Sequence, residues 1–353
     1  MNRPTLPEPA PPVAGAPADR AAGSLWGAFL GDALAMPVHW YYDREALRRD
    51  YGPITELLAP RNPHPDSILW RSRWDAPSPE LDILHDQRAF WGRPGVHYHQ
   101  QLAAGENTLN LRLAAELLAS LAETGRHDVD DYARRYVAFL TTPGSHHDTY
   151  VEEVHRGFIT NLGRGRKPRA CGITDIHIGG LAGVPPLAAW FLGDAPALDH
   201  AVRDQVALTH RAPEVLVAAA AFAGMLRRVI GGEGLREAVC AEGGTVPGLS
   251  VARLEHWLDE PDLRVVGERL SPACYIGDAF PAALYFVLKY AAKPEAGLIA
   301  NTMAGGENCH RGVVVGALLG AASGIAGWPS RWRTRLADHV RLGELIRQVT
   351  AHG

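Results

Sequence analysis

From Gly312 to Ser330 the chain carries no charged residue, and glycine recurs at every fourth position through Gly312, Gly316, Gly320 and Gly324. That spacing falls on one stripe of an α-helix, where a missing Cβ lets a second backbone come close. A helix apolar all round belongs in a bilayer or at the centre of a large helical core. The aliphatic content is modest, and Gly327 and Pro329 interrupt the run. The buried central helix is therefore the reading taken. Such a helix demands a large protein around it, and 353 residues, 46% hydrophobic and 21% charged, can supply one.

The remaining patterns are also helical. Ala22 to Ala35 is apolar and punctuated by glycine. Asn110 to Thr124 places leucines at mixed steps of three and four. Asp130 to Leu140, Phe280 to Ala292 and Val313 to Ala326 follow the same logic. Pro213 to Ile230 opens with Pro and an acid and stops at Gly231-Gly232. Two-residue alternation is scarce, so the fold class is all-α. No internal linker appears, so residues 21–353 are read as one domain after a Pro/Ala-rich tail at 1–20. That tail is too poor in apolar residues to fold or to act as a secretory signal. The stretch from Tyr51 to Ala104 is irregular but rich in Trp, His and Tyr, including His97, Tyr98 and His99. A loop of that length and content is expected to cover a pocket.

A formal net charge of −4 provides no basic footprint for nucleic acid or an anionic membrane, so neither is expected as a partner. Cys171, Cys240, Cys274 and Cys309 form no C-x-x-C pair and no disulfide framework, which fits a reducing cytoplasm.

Two short segments stand out. Gly105-Glu106-Asn107-Thr108 and Gly306-Glu307-Asn308-Cys309-His310-Arg311 each set an acid and an amide at a helix start. Helix capping explains either one alone. Together they can also converge on one polar pocket, because sites in helical cores are built from facing helices. His147 and Asp148, in Ser145-His-His-Asp-Thr-Tyr150, either line that cleft or sit in a surface loop. Cys309 and His310 are adjacent and do not face each other well; a helix N-terminus can still lower the Cys309 pKa, but the simpler reading is a small liner.

Several of these segments resemble the ADP-ribosylglycohydrolase family, in the family's order from about Ala22 to Gly327. They are Gly23-Ser-Leu-Trp-Gly-Ala-Phe-Leu-Gly-Asp-Ala-Leu34, Thr209-His-Arg-Ala-Pro-Glu-Val-Leu216, Tyr275-Ile-Gly-Asp-Ala-Phe-Pro-Ala-Ala-Leu284 and the run from Gly305 to Gly320. The resemblance implies a compact orthogonal all-α domain with one central cleft, and in typical members a pair of magnesium ions in it. It also implies a hydrolase acting at the anomeric carbon of an ADP-ribosyl or other ribosyl substrate, with a small molecule or an ADP-ribosylated molecule as partner. Asp32, Thr108 and the glycines Gly179, Gly180 and Gly183 would then contact substrate, with His147 and Asp148 beside them.

The departures fall at the chemistry. The family's Thr-Asp-Asp-Thr reads here Gly105-Glu106-Asn107-Thr108, and its Asp-x-Asp-Thr reads Glu307-Asn308-Cys309-His310, so two negative charges are lost. Hard divalent ions want several anionic oxygens. Three metal states stay open: one ion on Glu106, Asn107 and Glu307; a softer ion such as zinc using Cys309 and His310; or none. His39 stands where some members carry an acid and suits a general base; a structural histidine is the other reading. The catalytic candidates are Glu106, Asn107, Glu307, Cys309, His310 and His39. Two other functions remain open, a non-catalytic nucleotide-binding protein and an enzyme with a non-nucleotide substrate.

Overall fold

The computed structural model describes residues 15–352. Its helices, in chain order, are α1 (Pro17–Ala35), α2 (Arg44–Tyr51), α3 (Leu109–Thr124), α4 (Val129–Thr141), α5 (Glu153–Gly163), α6 (Val184–Trp190), α7 (Ala195–Ala207), α8 (Pro213–Ile230), α9 (Leu235–Gly243), α10 (Val251–His256), α11 (Asp262–Arg264), α12 (Ile276–Lys289), α13 (Pro294–Met303), α14 (Asn308–Ser323), α15 (Ser330–Arg333) and α16 (His339–His352). No β-strand occurs among the described residues. Isolated bridges pin loops, among them His177 against Tyr275. The all-α expectation holds.

The glycine stripe finds its partner in α1. A Cβ built on Gly27 would lie 2.0 Å from the Gly316 carbonyl oxygen, one on Gly31 would lie 2.1 Å from that of Gly312, and one on Gly23 would lie 2.4 Å from that of Gly320. As the α1 number rises the α14 number falls, so the two helices cross antiparallel at backbone contact. Trp328 closes the far end by donating its indole N–H to the Gly23 carbonyl at 2.8 Å. Both helices are buried on every side, from Arg20 to Ala35 and from Asn308 to Ala321. Helices α6, α8, α12, α13 and α16 pack around this pair.

Two boundaries differ from the sequence reading. Most of the tail expected at 1–20 lies outside the described residues, but its end does not: Pro17 opens α1, with Asp19 in the first turn. The uncharged run does not continue as one helix either, because Gly324, at φ +67°, ends α14. Among the described residues no helix is long and apolar enough to cross a membrane.

Candidate functional site

The N-terminus of α14 is placed by a glycine turn. Gly305 and Gly306 have φ of +67° and +63°, and a Cβ on either would lie 2.3 Å or less from the carbonyl oxygens of Tyr41 and Pro272. Only glycine passes between these backbones. Hydrogen bonds then lock the register: Trp40 N–H donates to the Gly306 carbonyl at 2.8 Å, Gly306 N–H to Tyr41 at 2.7 Å, and Glu307 N–H to Pro272 at 2.9 Å. Trp40 itself has φ +62°, which for a bulky residue costs about 1–3 kcal/mol. The turn thus brings residues 39–40 against Glu307.

Glu307 is the centre of what results. It is 1% exposed. Its Oε1 lies 3.0 Å from His39 Nε2 and 2.9 Å from His310 Nδ1, and Oε2 accepts from Trp40 Nε1 at 2.8 Å. The carboxylate also caps α14 by accepting from His310 N–H at 3.2 Å. Burial raises its pKa, but His39 and His310 outweigh that and hold it well below the usual carboxylate range. His39 is pushed down to about 4, chiefly by burial and against the pull of Glu307. For His310, burial lowers the pKa, yet Glu307 and Glu152 raise it to about 9.

The polar run extends both ways. His39 Nδ1 lies 2.7 Å from His99 Nε2, and His99 Nδ1 is hydrogen-bonded to Asp148. Asp148 also accepts from Leu109 N–H, so one carboxylate anchors His99 and caps α3. On the other side, the Asn110 amide lies 2.7 Å from His310 Nε2, 2.9 Å from Glu152 and 2.7 Å from His155 Nε2. The irregular segment supplies the backing. His97 and His64 bond the carbonyls of Pro37 and His39 at 3.1 and 3.0 Å. Tyr98 and Tyr150 meet Trp40 edge to face.

The candidates from sequence are distributed unevenly. The structure brings Glu307, His39 and His310 together, and Asp148 joins them through His99. Glu106 stands apart, its carboxylate accepting from Ala103 N–H at 2.6 Å to close its own turn. Asn107 and Thr108 are spent on Asp32, whose carboxylate accepts from Asn107 Nδ2 and Thr108 N–H at 2.8 Å each and from the Thr108 hydroxyl at 2.7 Å. That trio clamps α1 to α3. Cys309 turns away from His310 into an apolar pocket with Ala35, Met36 and Leu102, and burial pushes its thiol well above the usual range. His147 is exposed and borders a surface hollow with Asp86, Gln87, Phe90 and Gln101. Gly179 lies beside the site, since a Cβ there would meet Asn110 Nδ2 at 2.9 Å and the His310 ring at 3.5 Å. Gly180 faces His210 and Val215, and Gly183 faces Gln205 and Leu117.

Sequence reasoning missed Trp40, His99, Asn110 and Glu152. The two histidines in His97-Tyr98-His99 offered the one visible signal. Asn110 and Glu152 carried none, because each reads as an ordinary residue beside a helix start.

The sequence pattern of the ADP-ribosylglycohydrolase family matches residues 14–353, so the chain belongs to that family. A solved structure described as an ADP-ribosylglycohydrolase-related protein complex is 21% identical. It covers 95% of this chain and 98% of its own, with a TM-score of 0.67, which establishes the fold. No curated relative matches. The residues present do not fit a pair of magnesium ions. Of the positions that would hold them, Glu106 and Asn107 are bonded elsewhere, Cys309 is turned away, and Glu307 is faced by two imidazoles. Magnesium requires near-octahedral oxygen ligands.

Proposed function

We propose that this member of the ADP-ribosylglycohydrolase family is a hydrolase acting at the anomeric carbon of a ribosyl substrate, with Glu307 as its catalytic carboxylate. The observation that carries this reading is a buried Glu307 held ionised by His39, His310 and Trp40. Around it stand Tyr42, 44% exposed, and the partly exposed Cys274 and Glu152. Breaking a glycosidic bond builds positive charge on the sugar, and a fixed anion in a water-poor site stabilises that charge more than bulk water does. His39, backed by His99 and Asp148, fixes the orientation of the Glu307 carboxylate. Family membership supports the reaction class, and the substrate is part of the proposal.

The test is a panel of ribosyl compounds, with and without an adenosine diphosphate moiety, linked at the anomeric carbon through nitrogen or oxygen. Proton NMR of the anomeric signal reads cleavage. Turnover of one member that Glu307→Gln abolishes supports the proposal. Tight binding with no cleavage points instead to a binding protein. Neither binding nor cleavage across the panel rejects a ribosyl substrate.

A further inference from the structure

The run Asp148–His99–His39–Glu307 has three contacts between four groups. They bring His39 Nε2 to 3.0 Å from Glu307 Oε1, at the buried start of α14.

A third donor atom converges there. His310 Nδ1 lies 2.9 Å from the same Glu307 oxygen, and the ligand atoms of His39, Glu307 and His310 all fall within 4.8 Å of one another. From this we propose that the chain binds one nitrogen-preferring divalent ion of the zinc class through His39 Nε2, Glu307 Oε1 and His310 Nδ1, in place of a magnesium pair. Metal–ligand bonds of about 2.0–2.2 Å span ligand edges of roughly 2.9 Å at a right angle and about 3.4 Å at the tetrahedral angle. The two edges at Glu307, 3.0 and 2.9 Å, lie in this range. Each ligand is also backed on its far side, as metal ligands are. His99 and then Asp148 stand behind His39, Glu152 Oε1 lies 3.7 Å from His310 Nε2, and Trp40 holds the second oxygen of Glu307. Two histidines and a carboxylate suit zinc or iron(II), whereas oxygen-seeking magnesium has one anionic ligand here.

The test needs no substrate, so its failure is separate from failure of the proposed hydrolysis. Metal content of the purified full chain is measured by elemental analysis. The chelated and desalted protein is then titrated with zinc chloride and with magnesium chloride by calorimetry, and cobalt(II) loading is read by visible absorption. The expected result is one zinc-class ion per chain, no comparable magnesium binding, and cobalt bands of a nitrogen-containing site. His39→Ala and His310→Ala should each lose the ion. His99→Ala, which spares all three ligands, should weaken binding about 10–100-fold, with circular dichroism checking the fold of every variant. Absence of any bound or titratable zinc-class ion in the unaltered chain overturns the proposal. Stoichiometric zinc that His39→Ala leaves unchanged also overturns it.

Discussion

Glu307 and Glu106 begin alike, each an acid before an amide at a helix start, and the tertiary environment separates them. Glu307→Gln keeps a carbonyl to cap α14 but removes the charge, so turnover should fall about 100- to 1,000-fold with the fold intact. Glu106→Gln touches only the bond from Ala103 N–H. It should cost about 1 kcal/mol or less, with steady-state kinetics unchanged. Equal loss in both variants would remove the distinction. A second residue-scale prediction concerns Asp175 and His177, whose Nδ1 and Oδ1 lie 3.0 Å apart. Burial works to lower the His177 pKa, but Asp175 and Cys274 raise it to about 12. The raised value means that His177 stabilises the fold fully below about pH 6.5 and loses that contribution as pH rises toward the folded value. His177 should stay protonated at pH 8 in a histidine NMR titration. In Asp175→Asn it should titrate at lower pH, and the chain should lose about 1.5–3 kcal/mol at neutral pH. A ring that is neutral at pH 8 in the unaltered chain would contradict this.

At the scale of elements, the α1–α14 crossing holds the site, since α14 carries Glu307 and His310 at its start and α1 leads through residues 36–38 to His39. Gly27→Ala and Gly316→Ala each drive a methyl to 2.0 Å from a carbonyl of the opposite helix. Side-chain repacking cannot relieve a backbone clash. Each substitution should cost about 3 kcal/mol or more in urea unfolding. Gly277→Ala in α12 is the control, because a Cβ there has nothing within 4 Å. It should be neutral or stabilising by up to about 1 kcal/mol. If Gly27→Ala behaves like Gly277→Ala, the two helices do not meet at backbone contact.

At the scale of the whole molecule, burial holds several histidines neutral. Desolvation lowers His146 and His210 to about 4 and His155 to about 3. Unfolding lets them protonate near the ordinary pKa of about 6.5. Below that pH the unfolded chain binds more protons, so stability falls as pH falls, by about 1.4 kcal/mol per pH unit for each ring until its folded value is reached. Denaturant unfolding at pH 5 should therefore show an uptake of nearly one proton for each of these three rings and for His39, which burial lowers likewise, falling to about half a proton for each at pH 6.5. An uptake below one would mean these rings are not held neutral.

The sequence alone is enough to read the fold class and the central helix, because a glycine every fourth residue in an uncharged run has few stable solutions. The helix periods of α3, α4, α8 and α12 were equally legible, since each is a local property of spacing. It also fixed Glu307 and His310 as residues at a helix start, and marked His39 as an unusual occupant of its position. The partner of the glycine stripe became certain only with the fold, where Gly23, Gly27 and Gly31 meet Gly320, Gly316 and Gly312. Folding sets His39, His99 and Asp148 in line behind Glu307, turns Cys309 toward apolar side chains and commits Asn107 to Asp32. Those contacts join residues 39, 99, 148 and 307. No periodicity records such separations, because a hydrogen bond between distant segments leaves no local pattern in either one.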